Sequence, residues 1–141
     1  MSLETMLNNR NVQTFSDQND LNISLINKKP YVCNNINYSV ITITNLIKSL
    51  KLVKCHDVTI RVKKNPLIEI CVENSDCIKI QYDTIESGYL DLSHCNAVTI
   101  FKETPKKSMH MYITINVHQC IGVFGNKDNL SGQYEESVWE L

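Results

Sequence analysis

His110, His118 and Cys120 put two imidazoles and a thiol within eleven residues, the donor types that hold zinc and similar borderline-soft metals. Their spacing, His-x7-His-x-Cys, lacks the second cysteine pair of a structural zinc pattern, so no metal is expected there. A nucleophilic thiol needs a neighbouring base and an electropositive pocket. The six cysteines (Cys33, Cys55, Cys71, Cys77, Cys95 and Cys120) stand instead among recurring apolar residues. Paired carboxylates would be required for glycoside cleavage, yet Asp57, Asp76 and Asp83 stand at bends, where Asp is a turn residue, with no obvious partner. Gly88, Gly122, Gly125 and Gly132 form no phosphate-cradling loop. These absences predict a protein that is not an enzyme and uses no cofactor.

The elements that carry these residues are legible from a repeat. Leu50-x-Leu52-x-x-Cys55-x-x-Val58-x-Ile60 recurs twenty residues later as Ile70-x-Val72-x-x-Ser75-x-x-Ile78-x-Ile80, and again as Leu90-x-Leu92-x-x-Cys95-x-x-Val98-x-Ile100. Only aliphatic-for-aliphatic and Cys-for-Ser exchanges occur at these positions. A short fixed period of this kind marks a stacked coil whose turns complete one another's core. Within each copy apolar and polar residues alternate, the pattern of two half-buried strands around a corner. Twenty residues cannot hold a strand, a helix and two turns. They fit one rung of a parallel β-helix, with equivalent residues stacked about 4.8 Å apart. The expected fold is all-β: a right-handed parallel β-helix of about twenty-residue rungs, with Cys55, Ser75 and Cys95 at an inward corner.

The remaining segments extend the pattern into one domain, residues 1–141. Residues 1–20 are polar and weakly periodic and are expected to fray or cap. The coil is assigned to 21–103. In it Leu21-x-Ile23-x-Leu25 reads as a strand closed by Asn27-Lys28-Lys29-Pro30, and Tyr38-x-Val40-x-Thr42 lies twenty residues before Val58-x-Ile60-x-Val62, so the regular rungs begin near Tyr31. Thr104–Ser108 is a turn cluster. Residues 109–141 supply a long alternating strand, Met109-x-Met111-x-Ile113-x-Ile115-x-Val117, and a tail. A net charge of −1 offers no overall attraction to nucleic acid. With no apolar run near eighteen residues and no charged-then-apolar start, neither a membrane span nor a secretion leader is expected. Cysteines on core ladders are expected to be reduced, as in a cytoplasmic protein.

Four segments in order carry a family resemblance: Ser49-Leu50-Lys51-Leu52-Val53-Lys54-Cys55-His56-Asp57-Val58-Thr59-Ile60, Ile68–Ile80, Lys107–Ile113 and Gln133-Tyr134-Glu135-Glu136-Ser137-Val138-Trp139. Over about residues 31–139 the chain resembles the C-terminal β-helix domain of the adenylyl cyclase-associated proteins. One strand-and-corner unit of that family has no counterpart before Thr104. The family's helical oligomerisation domain and proline-rich linker have none either, as in a short form lacking the N-terminal domain. The resemblance implies a cytoplasmic, cytoskeleton-associated protein that binds ADP-actin monomers and promotes their nucleotide exchange and recycling. It also implies a homodimer formed by exchange of C-terminal strands.

The sequence then suggests where such contacts would fall. Lys51, Thr59, Arg61, Lys79, Gln81, Asp91 and Thr99 occupy outward positions of stacked rungs, with Lys63 and Lys64 at the following bend. Actin is acidic, so Thr59, Arg61, Lys63, Lys64, Lys79, Gln81 and Thr99 are the expected actin-binding residues. Met109, Met111, Ile113, Ile115, Val117, Phe124, Tyr134 and Trp139 are the expected dimer contacts; a lone Trp on a tail needs an apolar seat. The alternative class is a GTPase-activating β-helix of the tubulin-cofactor-C type, which inserts an arginine. Only Arg10 and Arg61 are available, and Arg61 lacks the glutamine-rich setting expected of that role.

Overall fold

A computed structural model of the chain describes residues 11–63, 68–82, 87–102, 112–126, 130–133 and 138–139. Its four central turns consist of β3 (Pro30–Ile43), β4 (Ser49–Val53) with β5 (His56–Val62), β6 (Glu69–Glu73) with β7 (Asp76–Tyr82), and β8 (Ser87–Ser93) with β9 (Asn96–Lys102). Below them lie β1 (Gln13–Asn19) and β2 (Asn22–Leu25), both paired with β3. Above lie β10 (Tyr112–His118), β11 (Ile121–Phe124), β12 (Leu130–Gln133) and β13 (Val138–Trp139). Every pairing is parallel, so the chain is an all-β parallel solenoid. The long β3 belongs to two stacks. Its first half continues through β4, β6, β8, β10 and β12, and its second half through β5, β7, β9, β11 and β13.

The repeat has the meaning its spacing implied. Leu50 pairs with Ile70, and Ile70 with Leu90, in one file that runs on to Tyr31 below and Ile115 above. All five are buried. In the second stack Val58, Ile78, Val98, Val123 and Val138 form a matching file, and Ile41, Ile60, Ile80 and Ile100 another. Between these walls lies a core of aliphatic side chains, whose removal from water is the main stabilising term.

The period is not constant, and this changes one expected register. Val58 pairs with Ser39, nineteen residues earlier, and Ile60 with Ile41. Ser39, Ile41 and Ile43 therefore enter the core, whereas Tyr38 is exposed and Val40 and Thr42 are half-buried. The twenty-residue extrapolation to Tyr38, Val40 and Thr42 was off by one. In a strand that slip inverts every side chain. Ser39 is tolerated inside because its Oγ donates to the Asn37 carbonyl (2.8 Å) and accepts from the Leu21 N–H (3.0 Å). The stacking also starts before Tyr31: Gln13–Asn19, where weak alternation suggested no strand, is β1. It is held by parallel pairing to β3 and by side-chain amides, Asn35 Nδ2 to Asp17 Oδ1 at 2.8 Å and Asn37 Nδ2 to Asn19 Oδ1 at 3.2 Å.

Each turn bends at a corner of one construction. Two residues three apart take left-handed backbone angles: Asn35 and Tyr38, Lys54 and Asp57, Asn74 and Cys77, His94 and Ala97, Gln119 and Gly122. Between them one side chain points inward: Cys55, Ser75 and Cys95 are buried there as expected, while the first of these corners holds the larger Ile36. Ser75 Oγ donates to the Glu73 carbonyl (2.9 Å) while accepting the Cys55 N–H (3.0 Å). Cys55 and Cys95 likewise donate to the carbonyl two residues back, and Cys120 Sγ accepts the Cys95 N–H at 3.4 Å. A γ-heteroatom that can both donate and accept suits this position, which explains the Cys-for-Ser exchange.

Candidate functional site

The outward side of the second stack carries the expected contact residues in two straight columns. Thr59 is in register with Lys79, Lys79 with Thr99, Thr99 with Phe124, and Phe124 with Trp139. Beside them Arg61 is aligned with Gln81 and Gln81 with Phe101. Lys63 follows at the bend, half-buried, its N–H bonded to the Ile43 carbonyl at 2.8 Å. Lys64 lies outside the described residues. Parallel strands hold these side chains at fixed rung spacing, so the columns form a flat strip.

Charge divides between the two stacks. Lys51 and Asp91, the other expected outward residues, stand on the first stack, in a column with Cys71. There Lys51 Nζ lies 3.5 Å from Glu73 Oε1, and Glu69 occupies the neighbouring column beneath Tyr89. A cavity of about 310 Å3 opens on that side, lined by Glu69, Tyr89, Leu90, Asp91, Thr114 and Asn116. On the second stack, by contrast, no carboxylate occupies the two columns among the described residues. The strip is cationic at its centre, at Arg61 and Lys79, and aromatic towards its upper end.

The expected dimer contacts separate into two groups. Ile113 and Ile115 are buried within the chain's own coil, where β10 pairs with β8 and β12, and Val117 is half-buried beside them. Phe124 and Trp139 are exposed, Trp139 by 64%. Ile121 is exposed too, on the same upper turn. Met109, Met111 and Tyr134 lie outside the described residues.

One cluster escaped the reading of the sequence. At the corner between the stacks His56 Nδ1 lies 2.9 Å from Asp76 Oδ2, and the ring of Tyr38 meets the imidazole edge-on at 5.5 Å. Cys77 Sγ is close to both ligand atoms, the three lying within 4.8 Å of one another. His56 and Asp76 hold the same place in successive copies of the repeat, one residue beyond Cys55 and Ser75, so the period already contained the signal. It was hidden because the two residues are chemically unlike.

The cysteines do not offer a nucleophile in the core. All six are free. Burial, joined by the neighbouring Cys55, pushes the Cys33 thiol up to about 12, and burial raises Cys55 as well. Burial followed by the Glu73 and Asp91 carboxylates takes Cys71 to about 11, and burial takes Cys95 to about 11. Such thiols stay protonated near neutrality. Among the described residues no helix is long and apolar enough to cross a membrane. No protein-family model, curated protein or solved structure matches the chain.

Proposed function

We propose that the protein is an actin-monomer-binding β-solenoid that takes ADP-actin through the outward strip of its second stack. The observation that carries this is the strip itself: Arg61 and Lys79 sit centrally, no carboxylate stands in their columns among the described residues, and aromatic residues continue them upwards. A flat surface of that charge complements an acidic protein partner, steering its approach and suppressing wrong ones. The four segments that resemble the cyclase-associated proteins name actin as that partner.

Its action would be linkage without covalent chemistry. A protein that binds actin better in the form holding nucleotide loosely weakens nucleotide affinity by the same factor, so exchange and monomer recycling quicken. In the cytoplasm a dimer would present two strips. Strand exchange at the upper end would make that dimer, since a partner's C-terminal strands can supply the same parallel registers that β12 and β13 make within one chain. Phe124 and Trp139 would then gain an apolar seat. Mass in solution tests the exchange: twice the chain mass of 16.2 kDa is expected at micromolar concentration, and a strict monomer refutes it.

Arg61→Glu combined with Lys79→Glu is expected to keep the fold and weaken binding of labelled ADP-actin monomers by at least tenfold, two reversed charges costing roughly 1–2 kcal/mol or more. Undiminished affinity removes the strip from the account. One observation favours a second reading. Gln81 flanks Arg61 in register, a glutamine beside an exposed-side arginine of the kind a GTPase-activating module of the tubulin-cofactor-C type would use. Stimulated hydrolysis by a GTP-loaded GTPase, abolished in Arg61→Ala, would select it over actin binding.

A further inference from the structure

We infer that the corner formed by His56, Asp76 and Cys77 is a binding site for a single zinc-class divalent ion. This is independent of the actin proposal, because the corner lies outside the Arg61–Lys79 columns.

Donor chemistry comes first. An imidazole nitrogen, a carboxylate oxygen and a cysteine sulfur form a mixed hard–soft set, which suits Zn2+ and disfavours Mg2+ or Ca2+. Their ligand atoms lie within 4.8 Å of one another, and His56 Nδ1 and Asp76 Oδ2 are already 2.9 Å apart. Around a tetrahedral Zn2+ neighbouring ligand atoms are roughly 3.3–3.6 Å apart, given bonds of about 2.0–2.3 Å. Small side-chain rotations are therefore enough; no backbone movement is needed.

The backbone around the site is fixed independently. His56 and Asp76 are cross-strand partners on adjacent turns, and Val58 and Ile78 behind them are fully buried. Cys77 has a left-handed φ of 54°, the corner conformation shared by Tyr38, Asp57 and Ala97, so its position is set by the coil and does not depend on an ion. Cys77 is also the one cysteine of the six classed as exposed, in contrast to the inward Cys55 and Cys95. The Tyr38 ring packs edge-on against His56 at 5.5 Å and limits the imidazole's swing. Three protein ligands on a rigid edge leave a fourth position for water or for a group from a partner. An ion held there joins two adjacent turns, His56 from one and Asp76 with Cys77 from the next.

Cobalt reports directly on this arrangement, since Co2+ occupies zinc sites and gives a thiolate-to-metal charge-transfer absorption when sulfur is a ligand. Titrating the reduced full chain with Co2+ is expected to saturate at one ion per chain with that absorption, which Zn2+ then bleaches. Cys77→Ser abolishes the band, His56→Gln weakens binding at least tenfold, and Cys71→Ser and Cys120→Ser leave both unchanged. With Zn2+ at a hundredfold over its dissociation constant the melting temperature of the wild type should rise by about 5–10 °C, and that of Cys77→Ser should not. No sulfur-to-cobalt band in the wild type, its persistence in Cys77→Ser, or unaltered affinity in His56→Gln overturns the site. Circular dichroism of each variant separates loss of a ligand from loss of the fold.

Discussion

At the inward corner Ser75 and Cys120 each donate and accept through one γ-heteroatom, Ser75 at the shorter distances. Ser75 accepts the Cys55 N–H from the turn below and donates to the Glu73 carbonyl of its own turn. Ser75→Ala leaves the Cys55 N–H without this acceptor, while the Glu73 carbonyl keeps the Lys54 N–H at 3.1 Å; it is expected to lower stability by about 1–3 kcal/mol, whereas Ser75→Cys keeps most of the hydrogen bonding and costs under half as much. Urea unfolding compares the two; equal losses would mean that packing alone governs the ladder. The buried thiols also set an alkaline limit. Cys33 is raised from an ordinary 9.0 to about 12 and Cys95 to about 11, both chiefly by burial. A group raised in the folded state stabilises it fully below the unfolded value, and loses that contribution as pH climbs towards the folded one. Stability against urea is therefore expected to stay level up to about pH 9 and fall between pH 9 and 11, by up to about 1.4 kcal/mol per unit for each such thiol. A flat profile to pH 11 contradicts the burial of these sulfurs. The ladder was legible in the sequence because its residues are alike in chemistry from turn to turn. The His56–Asp76 contact was not, because a pair of complementary residues leaves no similarity for a repeat to display.

Strands and corners together decide the register, and here the sequence carried most but not all of the fold. Three copies with an identical period were unambiguous, since aliphatic residues fall on aliphatic residues through Leu50, Ile70 and Leu90. Below them the bend between Ile43 and Ser49 is one residue shorter than that between Val62 and Glu69, so the whole of β3, including Ser39, Ile41 and Ile43, is shifted by one. An inward serine beside an outward valine inverts the usual polarity, and alternation alone then points to the wrong face. Lys51 and Asp91 do point outward as expected, but the sequence did not assign them to a stack. Outward polarity marks a strand's solvent side but does not reveal which stack the strand joins. At the upper end Gly132 has a different task from the corner residues. It stands opposite Ile115 with φ at 111°, and an added Cβ would come within 2.4 Å of the Ile115 carbonyl oxygen. Gly132→Ala should therefore detach β12 from β10, with a loss of roughly 1–3 kcal/mol. Hydrogen exchange is the suitable measurement: amides of β12 lose protection while those of β5 and β7 keep theirs. Unchanged protection in β12 would show that the last turn is not seated through this glycine.

As a whole, the molecule is a parallel solenoid whose two stacks carry chemically different outward sides. One bears Glu69, Glu73 and Asp91, with Lys51 bridged to Glu73, and a cavity beside Tyr89. The other bears Arg61 and Lys79 and leads to the exposed Phe124 and Trp139. Among the described residues β12 and β13 end the two stacks, each paired on one side only. The measurement that bears most directly on the central claim is a titration of fluorescently labelled ADP-actin monomers with the purified chain. Saturable binding with one actin per chain, accompanied by faster release of bound nucleotide, is the expected result. An actin signal that stays unchanged across micromolar concentrations of the folded protein would contradict it.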